Sequence, residues 1–547
     1  MTYDLRTHLK ALEDHSLLHR VHREVDKNWE LSAIMRWVYM GNKEAKRYAV
    51  LFDRVKGYEI PVVVGAIGAS YKTYALSLGI DPDQPRARVM GEIRQRFIQA
   101  LKNPLPPVRV GSGPCKEKID GGSAVNIHKF PIPVWTPEKD RGWEEGLGFI
   151  TAPYCMTRDP ETGIRNVGTY RMMVRPEPNV VGIGATQGAH IMHHVRKNEA
   201  RGEATEIATV IGADPVIGMV SATEVPYGVD ELAVAGALRG SPIEVVPCET
   251  VDLEVPAHAE IVIEGRLPPK SERPYEPEAP FGEYTGYQGS AKFSPIYEIT
   301  CITYRKDCIY QAFISQMPPS ESSKLRHIGF ESLILKHLQG LGYEGIVDIN
   351  IPESAQAGVI IVSICKLDDG QPARIAHAIF SLLQPRWGKF VIVTDDDVDI
   401  YDLDNVLWAM TFRTSLTPAR RNVRFLDGMI AQILDYSAGS TIEDLRDRWD
   451  LPSAGVLIDA TRPYAPYPVV SLPPAKYLAR ALESWPDYGL PELGRKELPR
   501  SILVEEEYLK KGLAALPKCL TIEVKESRGK EIRHDQNQKV RARGNLR

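Results

Sequence analysis

The residues with the most pointed chemistry lie in the middle of the chain. Glu278 and Glu283 flank a Pro-Phe-Gly sequence, and Arg171 lies upstream of them. Two carboxylates pushed to different pKa values are typical of acid–base catalysis, and a guanidinium matches a carboxylate in two-point geometry. This set suits decarboxylation, in which a carboxylate is held, electrons are left on carbon and a proton is returned. Because side chains offer no good electron sink, such a reaction needs a cofactor.

A second set combines an amide, an imidazole and a carboxylate: Asn166, His190 and Glu231. These mixed ligands suit Mn²⁺ or Mg²⁺, especially where a phosphate adds further oxygens. Such an ion clamps a phosphate without a Gly-rich loop. Taken singly, each residue has a simpler interpretation: Asn166 as a turn residue, His190 as a surface histidine beside His193 and His194, and Glu231 as a solvated carboxylate. Only their joint order favours the functional interpretation.

Four stretches of sequence carry a resemblance to a known family. They are Asn-Val-Gly-Thr-Tyr-Arg at 166–171, Gly-Ala-His-Ile at 188–191, Val-Asp-Glu-Leu-Ala-Val-Ala-Gly at 229–236 and Pro-Glu-Ala-Pro-Phe-Gly-Glu-Tyr at 277–284. In this order they resemble motifs of the UbiD family of prenylated-FMN-dependent decarboxylases. The N-terminal region and residues 394–399 are similar as well, so the resemblance covers roughly residues 1–465.

The resemblance implies a prenylated FMN whose phosphate is held through Mn²⁺ or Mg²⁺ by Asn166, His190 and Glu231. It implies that Arg171, Glu278 and Glu283 are the catalytic residues, with Glu283 as the general acid. The implied cofactor-binding positions are Asn166, Val167, Gly168, Thr169, Tyr170, Arg171, Ala189, His190 and Glu231.

Two further details follow from the same resemblance. Some members have glutamine where this chain has Ala189, at a position that faces cofactor and substrate in those members. Main-chain carbonyls would hold K⁺ in the family manner, and they belong to Val167, Val220, Ser221 and Thr223.

The implied function is non-oxidative, reversible decarboxylation of an aromatic, heteroaromatic or α,β-unsaturated carboxylic acid, with an aromatic acyl-CoA among the candidate substrates. A flavin prenyltransferase would supply the cofactor, and the C-terminal region would form a homodimer or homohexamer. Two alternatives stay open. An NAD(P)H-dependent flavin oxidoreductase on a split barrel would need a nicotinamide site, but no Gly-x-Gly-x-x-Gly follows a predicted strand. A non-catalytic flavin-binding assembly subunit would not need Arg171, Glu278 and Glu283.

Composition excludes several classes of protein. The chain has 547 residues, 43% hydrophobic and 25% charged, with a net charge of -4. This charge gives no strong field for nucleic acid or a membrane surface, and no apolar run approaches the roughly 18 residues of a membrane span. The charged N-terminus lacks the apolar stretch of a signal peptide, which predicts a cytoplasmic protein. Seven cysteines without a Cys-x-x-Cys pair predict neither a disulfide framework nor a thiolate metal site.

The elements that must position these residues indicate a multidomain α/β (α+β) protein. Leu5, Leu9 and Leu12 recur at helical spacing, short strands dominate the middle, and strand–helix–strand order returns after residue 320. The predicted units are an N-terminal α/β domain at 1–107, a flavin-reductase-like split β-barrel that binds prenylated FMN at 108–319, a C-terminal α/β domain at 320–465, and an oligomerisation helix with a basic tail at 466–547.

Four smaller expectations complete the analysis. The acidic run 395–399 is predicted to form a polar loop and helix cap. The loop 317–321 is expected to line the substrate pocket. His327 lies in a segment that resembles the family's substrate-contacting region, and the alternative is a packed helix histidine. Glu283, among apolar neighbours, is expected to be buried, which would raise its pKa.

Overall fold

The structure, a computed structural model, describes residues 4–139, 147–186, 188–283, 286–289, 292–382, 388–416, 422–430, 452–462, 470–493 and 498–504. Tyr284 and the predicted basic tail lie outside these ranges.

The N-terminal unit packs helices against a mixed sheet. Its elements are α1 (Leu5–Asp14), β1 (Leu18–Val21), α2 (Glu30–Gly41), β2 (Ala49–Phe52), β3 (Val62–Val64), α3 (Tyr71–Ser77) and α4 (Arg86–Lys102). Leu5, Leu9 and Leu12 are buried as predicted, and the Asp4 carboxylate caps α1 by accepting from the Thr7 N–H at 2.8 Å. The sheet runs β1-β2-β3 and then takes a strand from the end of the central unit, which ties the two units together.

The central unit is built from short strands, as predicted. They are β4 (Val108–Arg109), β5 (Lys118–Gly121), β6 (Phe149–Ile150), β7 (Tyr154–Arg158), β8 (Arg165–Thr169), β9 (Met172–Val174), β10 (Val180–Ile183), β11 (Thr205–Ile211), β12 (Glu244–Pro247), β13 (Glu254–Pro256), β14 (Ile261–Leu267), β15 (Glu276–Glu278), β16 (Lys292–Ser294), β17 (Ile296–Tyr304) and β18 (Tyr310–Ala312). The curled main sheet follows the order β6-β9-β10-β17-β14-β11-β7-β8, with β5 paired to β17. Neighbouring strands in it are antiparallel. The expected split barrel is thus a half-barrel sheet.

Three helices of the central unit cover this sheet: α5 (His190–Glu199), α6 (Pro215–Ser221) and α7 (Glu231–Arg239). Helix α5 packs against β7, β8 and β11, and α7 packs against β8. Strand β8 therefore lies beside the start of both helices, which brings together sequence segments that are far apart in the chain.

The C-terminal unit has a mixed sheet with parallel strands at its centre and an antiparallel strand at each edge. Its elements are α8 (Glu321–Gly340), β19 (Ile346–Asn350), β20 (Val359–Ile364), α9 (Gln371–Leu382), β21 (Phe390–Asp395), α10 (Leu403–Arg413), β22 (Val423–Ile430), β23 (Pro452–Ala460) and a following helix α11 (Ala475–Glu483). The sheet order is β19-β20-β21-β23-β22. Strands β20 and β21 are parallel and joined through α9, which confirms the predicted strand–helix–strand unit.

The acidic run at 395–399 differs from its prediction. Asp395 and Asp397 are buried and bind Arg413, at 3.2 and 2.7 Å for the closest oxygens. Asp402, beyond the run, caps α10. The expectation of a helix cap within 395–399 was wrong because Arg413 compensates these carboxylates inside the unit.

Helix α8 links the C-terminal and N-terminal units. Its first residue, Glu321, is fully buried, and its carboxylate accepts hydrogen bonds from the backbone N–H groups of Gly65, Ile67 and Gly68 at 2.8 to 3.1 Å. Burial raises the pKa of the Glu321 carboxyl to about 7, although the hydrogen bonds from these backbone donors lower it. Glu321 therefore does not line a pocket, contrary to the expectation for 317–321. Within the described ranges, helices lack the length and apolar character needed to span a bilayer.

Candidate active site

Strand β8 holds Asn166 inside the molecule. Asn166 pairs across to Thr157 on β7 and is 4% exposed. Its side-chain Nδ2 is buried and has no hydrogen-bond partner within the described part of the chain. Because burying an amide N–H without a partner is costly, this donor is suited to an external acceptor such as a phosphate oxygen.

His190 and Glu231 are the first residues of α5 and α7. The His190 Nδ1 atom lies 3.8 Å from Glu231 Oε1, while Glu231 Oε2 accepts a hydrogen bond from the Val167 N–H at 2.9 Å. Burial raises the pKa of the Glu231 carboxyl, although His190 and the Val167 N–H favour its ionised form. The 3.8 Å gap exceeds hydrogen-bond length and fits two ligands of one ion, each about 2.1 Å from it.

Asn166, His190 and Glu231 line one cavity, together with Asp159 and Tyr227. The described residues contain no group of three His, Cys, Asp or Glu side chains that could hold a metal. The predicted set has two such side chains and an amide, so it needs further oxygens from a bound ligand. Two helix N-termini open on this cavity, and their backbone dipoles favour an anion. The donor set thus fits a phosphate bridged by a divalent metal.

The other predicted cofactor positions lie on or just after β8 and directly before α5, next in the chain to Asn166 and His190. A side chain at Gly168 would collide with the Tyr170 hydroxyl, so the glycine lets that ring lie against β8. Burial raises the pKa of the Tyr170 phenol. The Thr169 hydroxyl bonds that of Ser221 at 2.8 Å, and Ala189 occupies the N-cap of α5.

Arg171, just after β8, binds both predicted catalytic glutamates. Its Nε and Nη2 atoms donate to the two oxygens of Glu278 at 2.8 and 3.3 Å, and its Nη1 donates to Glu283 at 3.0 Å. Burial opposes the charge of Arg171, but the two carboxylates outweigh it and raise its pKa. Gly184 allows this approach, because a Cβ there would collide with both Arg171 and Glu278.

The two glutamates have different surroundings. Glu278 is fully buried at the end of β15, whereas the Glu283 side chain is 34% exposed. The expectation that Glu283 is buried was therefore wrong. The Glu283 N–H donates to the Tyr287 carbonyl at 2.9 Å, and its partly exposed side chain marks the mouth of the site. Glu283 is the glutamate that an incoming molecule can reach.

Sequence reasoning missed Lys292. This residue lies directly opposite Glu278 in the β15–β16 pairing, and its Nζ is 3.8 Å from Glu278 Oε2. Burial, followed by the charge of Arg171, lowers the pKa of Lys292. Two cations thus face two carboxylates. The available signal was the alternation of apolar residues around 292–304, which predicts strands but no cross-strand register.

The Phe281 ring completes the wall beside Arg171. Its centroid lies 5.1 Å from the guanidinium carbon, and it packs against Phe149. The site therefore joins a carboxylate-binding cation to an aromatic surface. Met317, expected to line the pocket, is 67% exposed and lies beside Gly286 near this mouth.

His327 takes the alternative role considered for it. It is 1% exposed within α8, and its Nε2 contacts Gln356 Oε1 at 2.8 Å. Burial lowers the pKa of His327 to about 3, so the ring is neutral. His327 is a packed helix histidine.

Comparisons with known proteins agree on one family. Three models of 3-octaprenyl-4-hydroxybenzoate carboxy-lyase match the chain: the N-terminal domain at residues 9–93, the Rift-related domain at 107–318 and the C-terminal domain at 328–460. An uncharacterised protein of Archaeoglobus fulgidus is 37% identical over 450 residues, covering 80% of this chain and 88% of its own.

Solved structures of similar shape are enzymes of the same class. The UbiD-class enzyme HmfF from Pelotomaculum thermopropionicum, in an evolved dimeric form with prFMN, is 31% identical; the match covers 86% of this chain and 97% of HmfF, with a TM-score of 0.72. The vanillic acid decarboxylase of Sedimentibacter hydroxybenzoicus is 29% identical, with 89% and 98% covered and a TM-score of 0.73. The apo 3,4-dihydroxybenzoic acid decarboxylase of Enterobacter cloacae is 26% identical, with 87% and 99% covered and a TM-score of 0.71.

Proposed function

The chain belongs to the UbiD family of carboxy-lyases, and from this premise we propose that it decarboxylates an aromatic, heteroaromatic or α,β-unsaturated carboxylic acid non-oxidatively and reversibly with prenylated FMN. The observation that carries the proposal is the contact of Arg171 with both Glu278 and Glu283 beside the Phe281 ring. A split-barrel oxidoreductase or an assembly subunit has no use for this set.

The balance of charge in the site indicates the roles of its four ionisable side chains. Arg171 and Lys292 together offset Glu278 and Glu283. A substrate carboxylate adds one negative charge, which is offset when one glutamate carries a proton. Glu283 is the accessible one, so we assign it as the general acid. Glu278, fully buried between Arg171 and Lys292, fixes the guanidinium that binds the substrate.

We assign Asn166, His190 and Glu231 to a divalent metal, Mn²⁺ or Mg²⁺, that holds the flavin phosphate. The 3.8 Å His190–Glu231 gap supports this assignment. Asn166 would bind the ion through Oδ1, while its buried Nδ2 is suited to donate to a phosphate oxygen. When bound, prenylated FMN supplies the electron sink that side chains lack. The carbonyls of Val167, Val220, Ser221 and Thr223 are proposed to hold K⁺.

The substrate class follows the matched enzymes. HmfF binds prFMN, and the Sedimentibacter and Enterobacter enzymes act on vanillic and 3,4-dihydroxybenzoic acids. The Phe281 ring beside Arg171 supports an aromatic acid here. A flavin prenyltransferase partner, a homodimer or homohexamer and a cytoplasmic location belong to the same proposal.

The test is a screen of aromatic, heteroaromatic and acrylic acids for CO₂ release and for exchange of the product's ring or vinyl hydrogen with deuterium. The chain should be coproduced with a flavin prenyltransferase. At least one acid should turn over in wild type, and Arg171→Ala and Glu283→Gln should each lower that turnover by at least about 100-fold. Turnover that persists in both variants would contradict the assigned site.

A further inference from the structure

The ring of Tyr227 lies against the histidines at the start of α5. Its centroid is 5.1 Å from that of His190, with the planes at 84°, and 5.3 and 6.1 Å from those of His193 and His194. Tyr227 belongs to the loop between α6 and α7, which leads directly to Glu231. The same ring lines the cavity that Asn166, His190 and Glu231 share.

The hydroxyl of Tyr227 is anchored on a charged pair. It donates to Asp159 Oδ2, and the same oxygen accepts from Lys197 Nζ at 2.7 Å. Asp159 is 2% exposed, and its other oxygen accepts from the backbone N–H groups of Glu161 and Thr162 at 2.9 and 3.4 Å. The Asp159 carboxylate that accepts from the Tyr227 hydroxyl is therefore fixed in turn by Lys197 and by two backbone N–H groups.

This anchoring is not explained by core packing. Tyr227 is 46% exposed, unlike the buried tyrosines of the core. A half-exposed ring gains little from apolar burial, whereas a hydrogen bond to a buried carboxylate fixes its position. The His190 ring that Tyr227 contacts lies with its Nδ1 3.8 Å from Glu231 Oε1.

Metal-bound histidines are usually oriented by a hydrogen bond from the other ring nitrogen to a carboxylate, carbonyl or water. For His190, the orienting contact in the structure is an aromatic ring held by a carboxylate. We propose that Tyr227, anchored by Asp159 and Lys197, is a positioning residue that sets the metal affinity of His190. The inference rests on the proposed function, because it needs His190 to bind the metal.

The experiment measures Mn²⁺ binding to the full chain, stripped of metal by EDTA, freed of the chelator and kept in excess FMN. Free Mn²⁺ is followed by its electron paramagnetic resonance signal. Tyr227→Leu should weaken Mn²⁺ binding by roughly 10–100-fold, the range for loss of such a support, and should broaden the spectrum of the bound ion. Tyr227→Phe keeps the ring but not its anchor, so its loss should be intermediate.

Two further variants make the outcomes distinct. Tyr477→Leu, an exposed tyrosine on α11, should bind Mn²⁺ like wild type. His190→Ala should abolish binding; if it does not, the metal site is wrong and the inference falls with it. If His190→Ala abolishes binding while Tyr227→Phe and Tyr227→Leu both match wild type, the inference alone is overturned. Lower thermal stability of Tyr227→Leu with unchanged Mn²⁺ affinity would likewise reduce Tyr227 to a structural role.

Discussion

Arg171→Ala should destabilise the protein through the carboxylate it leaves behind. Glu278 is 0% exposed and receives two hydrogen bonds from Arg171, at 2.8 and 3.3 Å. Removing one partner of a buried pair costs roughly 3–5 kcal/mol. Lys292 remains 3.8 Å away and offsets part of this loss. We therefore expect the low end of the range, about 3 kcal/mol.

The assay is urea unfolding of wild type, Arg171→Ala, Glu278→Gln and the double variant, followed by circular dichroism. The double variant should recover most of the loss, because it leaves no uncompensated charge in the interior. Arg20→Ala removes ion pairs with Glu13 and Asp53 in which the Arg20 side chain is 43% exposed. It is the control, and each such exposed pair contributes less than about 1 kcal/mol. If Arg171→Ala matches this control, or if the two losses add in the double variant, the reasoning about the buried pair is refuted.

Three further predictions concern Glu283, Lys292 and Glu321. Glu283→Gln should lower turnover by at least about 100-fold and collapse deuterium exchange, while flavin stays bound; near-normal turnover would mean that another residue delivers the proton. Lys292→Met should raise KM for the acid more than it lowers kcat, because it removes a cation beside Glu278. An unchanged KM would exclude a role of this cation in binding the acid. For Glu321, burial raises the pKa from 4.5 to about 7, so the folded state binds this proton more tightly. The raised pKa stabilises the folded state by up to about 3 kcal/mol. This stabilisation is fully present below about pH 4.5 and is lost as the pH rises through about 7. Thermal unfolding at pH 5 and pH 8 should show this loss of stability in wild type but not in Glu321→Gln. The same difference between the two pH values in both proteins would contradict the raised pKa of Glu321.

Sequence reasoning reached the candidate site residues through four motifs whose order resembles that of one family. Taken singly, each of these residues has a simpler interpretation, and only the order of the motifs distinguishes them. The strands and helices that hold them follow from local patterns, such as the Asp4 cap of α1 and the apolar runs of β20 and β21. These signals depend on neighbours in the sequence, so the chain alone displays them.

The remaining features depend on contacts between distant segments. Lys292 reaches Glu278 only through the register of β15 and β16, and strand patterns do not define a partner's register. Tyr227 reaches His190 because a loop crosses the start of α5. The exposure of Glu283 is likewise a property of the folded chain, because its apolar sequence neighbours predict burial and its side chain is 34% exposed.

The acidic run 395–399 also depends on a contact between distant segments. Asp395 and Asp397 look like a solvated loop in the sequence, but Arg413 at the end of α10 binds them in the interior. A charged run can be assigned to a surface only when its cationic partners are known.

The measurement that tests the central proposal most directly compares one chain in two cofactor states. CO₂ release from the best substrate of the screen is measured for protein coproduced with a flavin prenyltransferase and for protein reconstituted with plain FMN and Mn²⁺. The proposal predicts turnover in the first preparation and none in the second, with flavin bound in both. Equal turnover with plain FMN, or a prenylated flavin in place without turnover of any acid, would contradict it.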